Sequence, residues 1–264
     1  LIAHQQFIAR EVVRRRIPRV LLADEAGLGK TIEAGLIIHR LILSGRAQRV
    51  IIVVPESLLH QWFVEMLRRF NLAFTVVDGS YCDAVEMHDP EANPFVGTQL
   101  ALTSTEFLTE HSERLVQADA AGWDLLVVDE AHHLGWAPGE PSPEYAAVEM
   151  LAKETEGLLL LTATPRQVGE EGHFARLRLL DPIRHSDFEK HQKENERLPM
   201  IAKAAGKLAS GKKLTKTELS KFVKELPADL RDGIESRLDL IAEDDEEREL
   251  SLIHISEPTR LRSI

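Results

Sequence analysis

Short apolar runs alternate with amphipathic segments between residue 20 and about residue 182, and this alternation strongly constrains the fold. Six runs have the length of a strand: 20–23, 50–54, 74–77, 99–103, 124–129 and 158–162. Continuous apolar runs of this length are typical of strands covered on both faces. Strands that alternate with helices form a mostly parallel sheet with right-handed crossovers. The sequence therefore predicts an α/β fold with helices on both faces of the sheet.

Three segments between these runs have the periodicity of amphipathic helices. The first covers residues 30–45 and ends at Gly45, which suits a helix C-cap. The others, 57–70 and 142–154, each begin at a serine, Ser57 or Ser142, that suits an N-cap. Segments 88–97 and 135–143 are rich in proline and glycine, and we expect both to be loops.

The composition changes after residue 182. Residues 187–249 are polar and charged, without strand-length apolar runs, and predict a helical appendage. We therefore expect a first domain at 1–186, the appendage at 187–249 and a tail at 250–264. The tail resembles translated sequencing-adapter DNA, so it is either foreign sequence or an ordinary frayed terminus.

The overall composition limits the class of protein. The 264 residues are 44% hydrophobic and 28% charged, as in soluble globular proteins. No apolar run approaches the ~20 residues of a membrane span, no signal peptide is visible, and the missing initiator methionine predicts a fragment. Cys82 is the only cysteine, which excludes an internal disulfide or a cysteine zinc cluster and favours a cytoplasmic location.

Charge is distributed unevenly. The formal net charge of −11 argues against a wholly basic nucleic-acid surface. Residues 1–49 nevertheless hold nine Lys and Arg against four Asp and Glu, so the first part of the chain is locally basic.

The segment Asp24–Thr31, "DEAGLGKT", lies between a strand run and a helical pattern, as a phosphate-binding loop requires. Asp24 stands where the general motif G-x-x-x-x-G-K-[ST] has its first glycine. In such a loop Gly27 and Gly29 would let the backbone approach the phosphates closely, Lys30 would place its ammonium on the β- and γ-phosphates, and the Thr31 hydroxyl would bind Mg²⁺. The alternative is a glycine-rich turn with an incidental Gly-Lys-Thr.

The segment "LLVVDEAHH" at 125–133 ends an apolar run with an acid pair. In a nucleotide-hydrolysing enzyme Asp129 would hold the metal, and Glu130 would orient and polarise the attacking water. His132 is expected to be a polar link near the γ-phosphate. The alternatives are a solvent-exposed acid pair and, for His132 and His133, a metal site shared with His111.

A third segment, "LLLLTATP" at 158–165, places Thr162 and Thr164 after another strand run. Their hydroxyls are expected at the carboxyl edge of the sheet, where ligands of open α/β sheets bind. The alternative is a strand that simply stops at Pro165.

In this order, and with "LIAHQ" at 1–5 ahead of them, the three segments resemble the first motor lobe of superfamily-two helicase-like ATPases. Asp24-Glu25 before the glycines resembles the Swi/Snf branch of that family. Longer stretches, among them "PRVLLADEAGLGKTIEAGLIIH" and "WDLLVVDEAHHL", resemble the RNA polymerase-associated members of this branch in bacteria. The resemblance covers roughly residues 1–190.

This resemblance implies a RecA-like lobe that uses ATP and Mg²⁺. Gln5 would read the adenine, and the phosphates would be wrapped by Asp24, Glu25, Ala26, Gly27, Leu28, Gly29, Lys30 and Thr31. Thr162, Ala163 and Thr164 would couple the nucleotide to DNA. Candidate contacts to the DNA backbone are Pro55, Glu56, Ser57, Ser104 and Thr105, with helix capping as the alternative for these residues.

The resemblance further implies a translocase on double-stranded DNA that associates with RNA polymerase and promotes its recycling. The family's motor needs a second RecA-like lobe, which residues 187–264 lack the strand runs to form, so this chain alone is expected to hydrolyse ATP very slowly. Two alternatives remain open: a strand-separating helicase of the DEAH type or restriction-type motor, and a nucleotide-sensing scaffold without turnover.

Overall fold

The computed structural model describes residues 3–23, 29–163, 169–210 and 223. The chain divides into two compact units, Leu1–Phe188 and Glu189–Ile264. The described helices are α1 (Ala3–Arg14), α2 (Lys30–Leu43), α3 (Leu59–Phe70), α4 (Gly79–Glu86), α5 (Thr105–Glu110), α6 (Ser112–Ala120), α7 (Pro143–Glu154), α8 (Gly169–Leu180) and α9 (Phe188–Ala209). The strands are β1 (Arg19–Leu22), β2 (Val50–Val54), β3 (Thr75–Val76), β4 (Leu100–Ser104), β5 (Leu125–Val128), β6 (Trp136–Ala137), β7 (Glu140–Pro141) and β8 (Gly157–Leu161).

All six predicted strands lie in one sheet, in the order β1-β8-β5-β2-β4-β3. Every neighbouring pair is parallel, with β5 between β8 and β2 at the centre. Every residue of β2, β5 and β8 is buried, as expected of strands covered on both faces. The predicted α/β fold is confirmed.

Alternate residues of the central strands point into two apolar layers. Ile52 and Val127 pack with α1, α2 and α3 on one face of the sheet. Ile51 and Leu126 pack on the other face with residues from α4 through α8, including the fully buried Tyr145. Helices on both faces, as predicted, therefore enclose the sheet and leave its edges for the connecting loops.

Of the three predicted helix boundaries, that at Ser142 is confirmed and that at Gly45 differs by one residue, because Ser44 is the C-cap. Ser142 caps α7, because its hydroxyl accepts a hydrogen bond from the backbone N–H of Tyr145. Helix α2 ends at Leu43, and Gly45 follows with a left-handed φ of 68° that most other residues would adopt only with strain.

The predicted cap at Ser57 is wrong. Residues Glu56–Leu58 form a 3₁₀ turn, and Leu58 takes the position before α3 without a side-chain cap. A contact from a distant part of the chain stabilises this turn: the backbone N–H of Glu56 donates to the carboxylate of Glu106, at 3.0 Å.

The expected loop at 88–97 consists of turns, whereas the expected loop at 135–143 is partly wrong. Strands β6 and β7 form a two-stranded antiparallel hairpin there, with Trp136 opposite Pro141. The reversal at Gly139, whose φ is 83°, joins the two strands. Two-residue strands leave no periodic pattern in a sequence, so only the turn was visible.

Helix α9 covers the first part of the expected appendage. Residues 211–222, residues 224–249 and the tail at 250–264 lie outside the described residues, so the predicted domain boundaries stay predictions. No helix in the described ranges is both long and apolar enough to cross a membrane.

Candidate nucleotide-binding site

Sheet register brings the predicted site segments to one edge. Leu22 at the end of β1 pairs with Leu161 of β8, and Leu160 pairs with Val128 of β5. Thr162 follows β8, and its backbone N–H donates to the carbonyl of Leu22. Asp129 follows β5, and its backbone N–H donates to the carbonyl of Val53. Since these strands are parallel, the segments that follow them emerge side by side at the carboxyl edge, where open α/β sheets bind ligands.

Helix α2 starts at this edge. Gly29 precedes it with φ 86° and ψ 40° and supplies no side-chain cap to the helix. Lys30 is its first residue and is buried to 9% exposure, and Thr31 beside it is half-buried. The dipole of a helix makes its N-terminus favourable for an anion, and the Lys30 ammonium adds a positive charge there.

Gln5 of α1 lies against the start of α2. Its side chain is buried, and a Cβ atom at position 29 would lie 2.5 Å from Gln5 Nε2. Only glycine at position 29 leaves this space to the amide. Gln5 is thereby placed next to the predicted phosphate-binding residues, although its role in reading adenine stays a prediction.

A cavity of about 390 Å³ opens at the start of α2. Its size is within the range of small-molecule sites, about 300–1,000 Å³. Its wall includes Gly29, Lys30, Thr31, Ile32, Leu58, Gln61, Glu65, Arg69, Asp129, Glu130 and Ala163. The ammonium, the hydroxyl and the two carboxylates singled out in the sequence therefore line the same space.

Asp129 is held at two points. Its Oδ1 accepts the backbone N–H of Glu130, and its Oδ2 accepts the indole N–H of Trp62, both at 2.8 Å. Burial raises the pKa of the Asp129 carboxyl, whereas these two hydrogen bonds and the nearby Lys30 charge oppose that rise. The carboxylate is thus costly to keep charged in this place unless cations and donors surround it.

Glu130 has an unusual backbone conformation. Its φ of 48° and ψ of 41° are left-handed, and Glu130 and Asn71 are the two non-glycine residues with positive φ in the described ranges. For an L-residue this conformation costs roughly 1–2 kcal/mol. Strain of this kind concentrates at functional sites, where the surrounding structure maintains it.

His132 lies behind Glu130 and not in the wall of the cavity. Its Nδ1 is 3.0 Å from Glu130 Oε2, but the two atoms do not form a hydrogen bond, and both are buried without a hydrogen-bond partner in the described part of the chain. Burial, followed by the neighbouring His133, lowers the pKa of the His132 imidazole. At neutral pH a neutral imidazole therefore lies beside the Glu130 carboxylate. The expected link of His132 to the γ-phosphate stays a prediction.

The coupling segment is only partly described. Thr162 is fully buried, and Ala163 reaches the cavity wall. Thr164 lies outside the described residues, as do Asp24, Glu25, Ala26, Gly27 and Leu28 of the predicted phosphate loop.

The candidate DNA contacts follow β2 and β4, farther along the same edge. Glu56 and Ser57 are exposed, and Pro55 and Thr105 are half-buried. Ser104 is buried and caps α5 by accepting the backbone N–H of Phe107 at 3.0 Å. Ser104 therefore has the alternative role of a helix cap. The DNA contacts of Ser104 and of the other four residues stay predictions.

Sequence reasoning missed Trp62 and the part of α3 that forms one wall of the cavity. Glu65 and Arg69 form an ion pair there, one helical turn apart. Their spacing is visible in the sequence, but nothing in the sequence indicates which ligand they face. The alternative metal site has no support in the described residues, where no group of three or more His, Cys, Asp or Glu side chains could hold a metal ion.

Comparison with known proteins agrees with this geometry. The model of the SNF2-related domain matches residues 6–254. The chain belongs to the SNF2-related domain family. Membership in this family implies a nucleotide-binding protein and confirms the resemblance drawn from the sequence.

Similar curated proteins are RNA polymerase-associated proteins RapA. The protein from Vibrio cholerae serotype O1 is 56% identical over 226 residues, which are 86% of this chain and 23% of that protein. The protein from Photobacterium profundum is 51% identical over 257 residues, which are 97% of this chain and 25% of that protein. The chain thus spans about a quarter of the length of these relatives.

Solved structures of a SWI2/SNF2 ATPase core and of a helicase domain share the fold. The Sulfolobus solfataricus SWI2/SNF2 ATPase core in complex with dsDNA has a TM-score of 0.57 and 21% identity, covering 71% of this chain and 38% of that chain. The Pyrococcus furiosus Hef helicase domain has a TM-score of 0.51 and 19% identity, covering 67% of this chain and 35% of that chain. The sheet and its helices therefore have the RecA-like fold that these solved domains share.

Proposed function

We propose that this chain is the first RecA-like lobe of a Swi/Snf-type ATPase that moves on double-stranded DNA and acts with RNA polymerase. The observation that carries the proposal is the convergence of Lys30, Thr31, Asp129 and Glu130 on one cavity at the carboxyl edge of the sheet. The polymerase association is supported by the name of the similar RapA proteins. The DNA substrate is supported by the SNF2 core that was solved with dsDNA.

The residues present fit ATP with Mg²⁺. The cavity offers a cation and a helix N-terminus for phosphates, and a hydroxyl with a carboxylate for the metal. Oxygen ligands, usually one or two carboxylates with substrate phosphates, are those that Mg²⁺ prefers. When bound, Mg²⁺ neutralises charge on the β- and γ-phosphates.

Each side chain has a distinct role in this proposal. The Lys30 ammonium binds the β- and γ-phosphates, and Thr31 and Asp129 hold the metal. Glu130 orients the attacking water and accepts its proton, and the His132 ring lies beside its carboxylate. The left-handed backbone of Glu130 directs this carboxylate differently from that of Asp129, so two adjacent acids serve two roles.

Hydrolysis at full rate requires more than this cavity. In phosphoryl transfer an arginine finger stabilises the charge of the transition state and contributes about 10³–10⁵ in rate. We propose that a second lobe of the complete protein supplies it, and that closure of the two lobes couples hydrolysis to movement on DNA. Pro55, Glu56, Ser57, Ser104 and Thr105 are proposed to contact the DNA backbone, and Thr162–Thr164 to connect them with the nucleotide.

The first experiment measures binding of a fluorescent ATP analogue to this chain with Mg²⁺. Lys30→Ala removes a charge-assisted contact worth about 1.5–3 kcal/mol, so affinity falls at least about tenfold. Glu130→Gln retains binding because it leaves Lys30, Thr31 and Asp129 unchanged. Lys153→Ala, on an exposed turn of α7, is the matched control and binds like the wild type. Equal affinity for Lys30→Ala and wild type would contradict the proposal.

The second experiment measures ATP turnover of a full-length protein that contains this chain. We expect stimulation by duplex DNA, no strand separation, and loss of turnover in Glu130→Gln. Robust unwinding would favour a strand-separating helicase or restriction-type motor instead. Binding without turnover, even with DNA, would favour a nucleotide-sensing scaffold.

A further inference from the structure

Trp62 connects the interior of the protein to the cavity. It lies in α3, is 1% exposed, and packs in the apolar layer between the helix and the sheet. Its indole N–H points out of that layer and donates to Asp129 Oδ2 at 2.8 Å. The two residues are 67 positions apart in the chain and belong to different elements.

The Trp62 indole has a single hydrogen-bond donor, and it donates to Asp129, a residue of the candidate site. Asp129 Oδ1 already accepts the backbone N–H of Glu130, so the two N–H groups hold one oxygen each. A carboxylate fixed at both oxygens cannot rotate without losing a bond. Each oxygen retains acceptor capacity, since an ionised carboxylate offers about four lone-pair sites.

A second buried tryptophan shows that this choice of acceptor is not dictated by burial. Trp123 is 5% exposed, and its indole N–H donates to the backbone carbonyl of Ala118 at 2.7 Å. A neutral carbonyl satisfies a buried indole without placing a charge in the interior. Bonding to a buried carboxylate is costlier, because a desolvated charge needs compensation. The hydrogen bond from Trp62 is therefore better explained by its effect on the orientation of the Asp129 carboxylate.

We propose that Trp62 is a positioning residue, which fixes the orientation of the Asp129 carboxylate for the Mg²⁺ that accompanies the nucleotide. This inference rests on the proposed function of the site. Groups that hydrogen-bond to metal ligands orient those ligands, and their loss typically lowers metal affinity or activity about 10- to 100-fold.

The contact itself can be tested in the nucleotide-free chain by NMR. Its three tryptophans give three indole ¹H–¹⁵N resonances, and Trp123→Phe and Trp136→Phe identify that of Trp62 by elimination. Asp129→Asn is expected to shift the Trp62 resonance strongly and to leave that of Trp123 in place. An unchanged Trp62 resonance would overturn the inference, whatever the chain binds.

The positioning role can be tested by nucleotide binding with and without Mg²⁺. With Trp62→Phe we expect the gain in ADP affinity that Mg²⁺ produces to fall about 10- to 100-fold, while metal-free affinity stays within about twofold. Trp123→Phe, which removes another buried indole away from the cavity, is expected to keep the full gain in ADP affinity that Mg²⁺ produces. An equal loss in both variants would indicate general destabilisation and overturn the positioning role.

Replacing Trp62 with β-(3-benzothienyl)alanine separates packing from hydrogen bonding. This amino acid has nearly the shape of tryptophan but carries sulfur in place of the N–H group. The inference predicts the same selective loss of the magnesium effect as in Trp62→Phe, even where the phenylalanine variant does not fold. A wild type without any magnesium effect would contradict the proposed function, whereas a normal effect in the benzothienyl variant would contradict only the role of Trp62.

Discussion

Gly35 of helix α2 lies directly beneath the ring of Phe70 in helix α3. A Cβ atom at position 35 would lie 2.2 Å from Cε2 of that ring and within 2.7 Å of two further ring atoms. The two helices also carry Lys30 and Trp62 at the candidate site. Their close approach at Gly35 therefore helps to set the distance between the start of α2, which is proposed to bind phosphate, and the cavity wall formed by α3.

Replacing Gly35 with alanine is expected to destabilise the fold, against the preference of helices for alanine. In an exposed helix interior the change would stabilise by about 1 kcal/mol. Here the overpacking against Phe70 costs about 1–3 kcal/mol. Urea unfolding checks the sign, with Gly79→Ala as the control, because Gly79 starts α4 with open space at its Cβ position. A Gly35→Ala variant as stable as the wild type would show that the two helices are farther apart.

The left-handed backbone of Glu130 leads to a second stability prediction. Glycine adopts this conformation without the steric cost that an L-residue has. Glu130→Gly is therefore expected to be more stable than Glu130→Ala by about 1 kcal/mol, although both variants lose the carboxylate and its contact with His132. Because both variants lack the carboxylate, the difference between their free energies of unfolding reports the cost of the backbone conformation. If alanine proves equal or better in urea unfolding, the backbone at position 130 is not left-handed.

The sheet was predictable from the sequence because each buried strand is a continuous apolar run between polar turns. The observed bounds of β2 are those of its run, 50–54, and β8 differs by one residue at each end. The cap at Ser57 was not predictable in the same way. Its alternative, the 3₁₀ turn at Glu56, is held by Glu106, which is fifty residues distant in the chain.

The candidate site was predictable to the extent that its residues are consecutive in the chain. Lys30 with Thr31, and Asp129 with Glu130, follow strands, and parallel register brings such segments to one edge. Trp62 was not predictable. Its place in an amphipathic helix predicts a core residue, which it is, but its hydrogen-bond acceptor follows from how α3 packs on the sheet.

Cys82 provides a chemical test of the second apolar layer. Its thiol is fully buried, and burial raises its pKa, so at a given pH less of it is the reactive thiolate than in an exposed cysteine. Since the unfolded chain releases this proton more readily, ionisation favours unfolding as the pH rises above the ordinary thiol pKa. At pH 8 we expect labelling by a disulfide reagent at least about tenfold slower than at an added Ser80→Cys, an exposed position on the same helix. Unfolding in urea should make the two rates similar, and rapid labelling of Cys82 without urea would contradict its burial.

Arg19, the first residue of β1, joins the sheet to the ends of two helices. Its guanidinium donates to backbone carbonyls of Leu179 and Leu180 at the end of α8, at 2.6 and 2.9 Å. It also donates to Thr155 after α7, at 2.8 Å, and burial lowers its pKa. Carbonyls at a helix C-terminus lack partners within the helix and attract cations, so one planar group satisfies several of them.

Arg19→Lys is expected to destabilise the protein by about 2 kcal/mol, although it conserves the charge. An ammonium has three donors at one point, whereas the guanidinium spreads five over a rigid plane that reaches both helix ends. Several charge-assisted hydrogen bonds would be lost, each worth about 1.5–3 kcal/mol before the lysine forms replacements. Arg14→Lys is the control, because Arg14 is largely exposed and pairs with Glu11 at 3.0 Å, an interaction expected to be worth less than about 1 kcal/mol. Equal unfolding free energies for the two lysine variants would mean that Arg19 does not join the helix ends in solution.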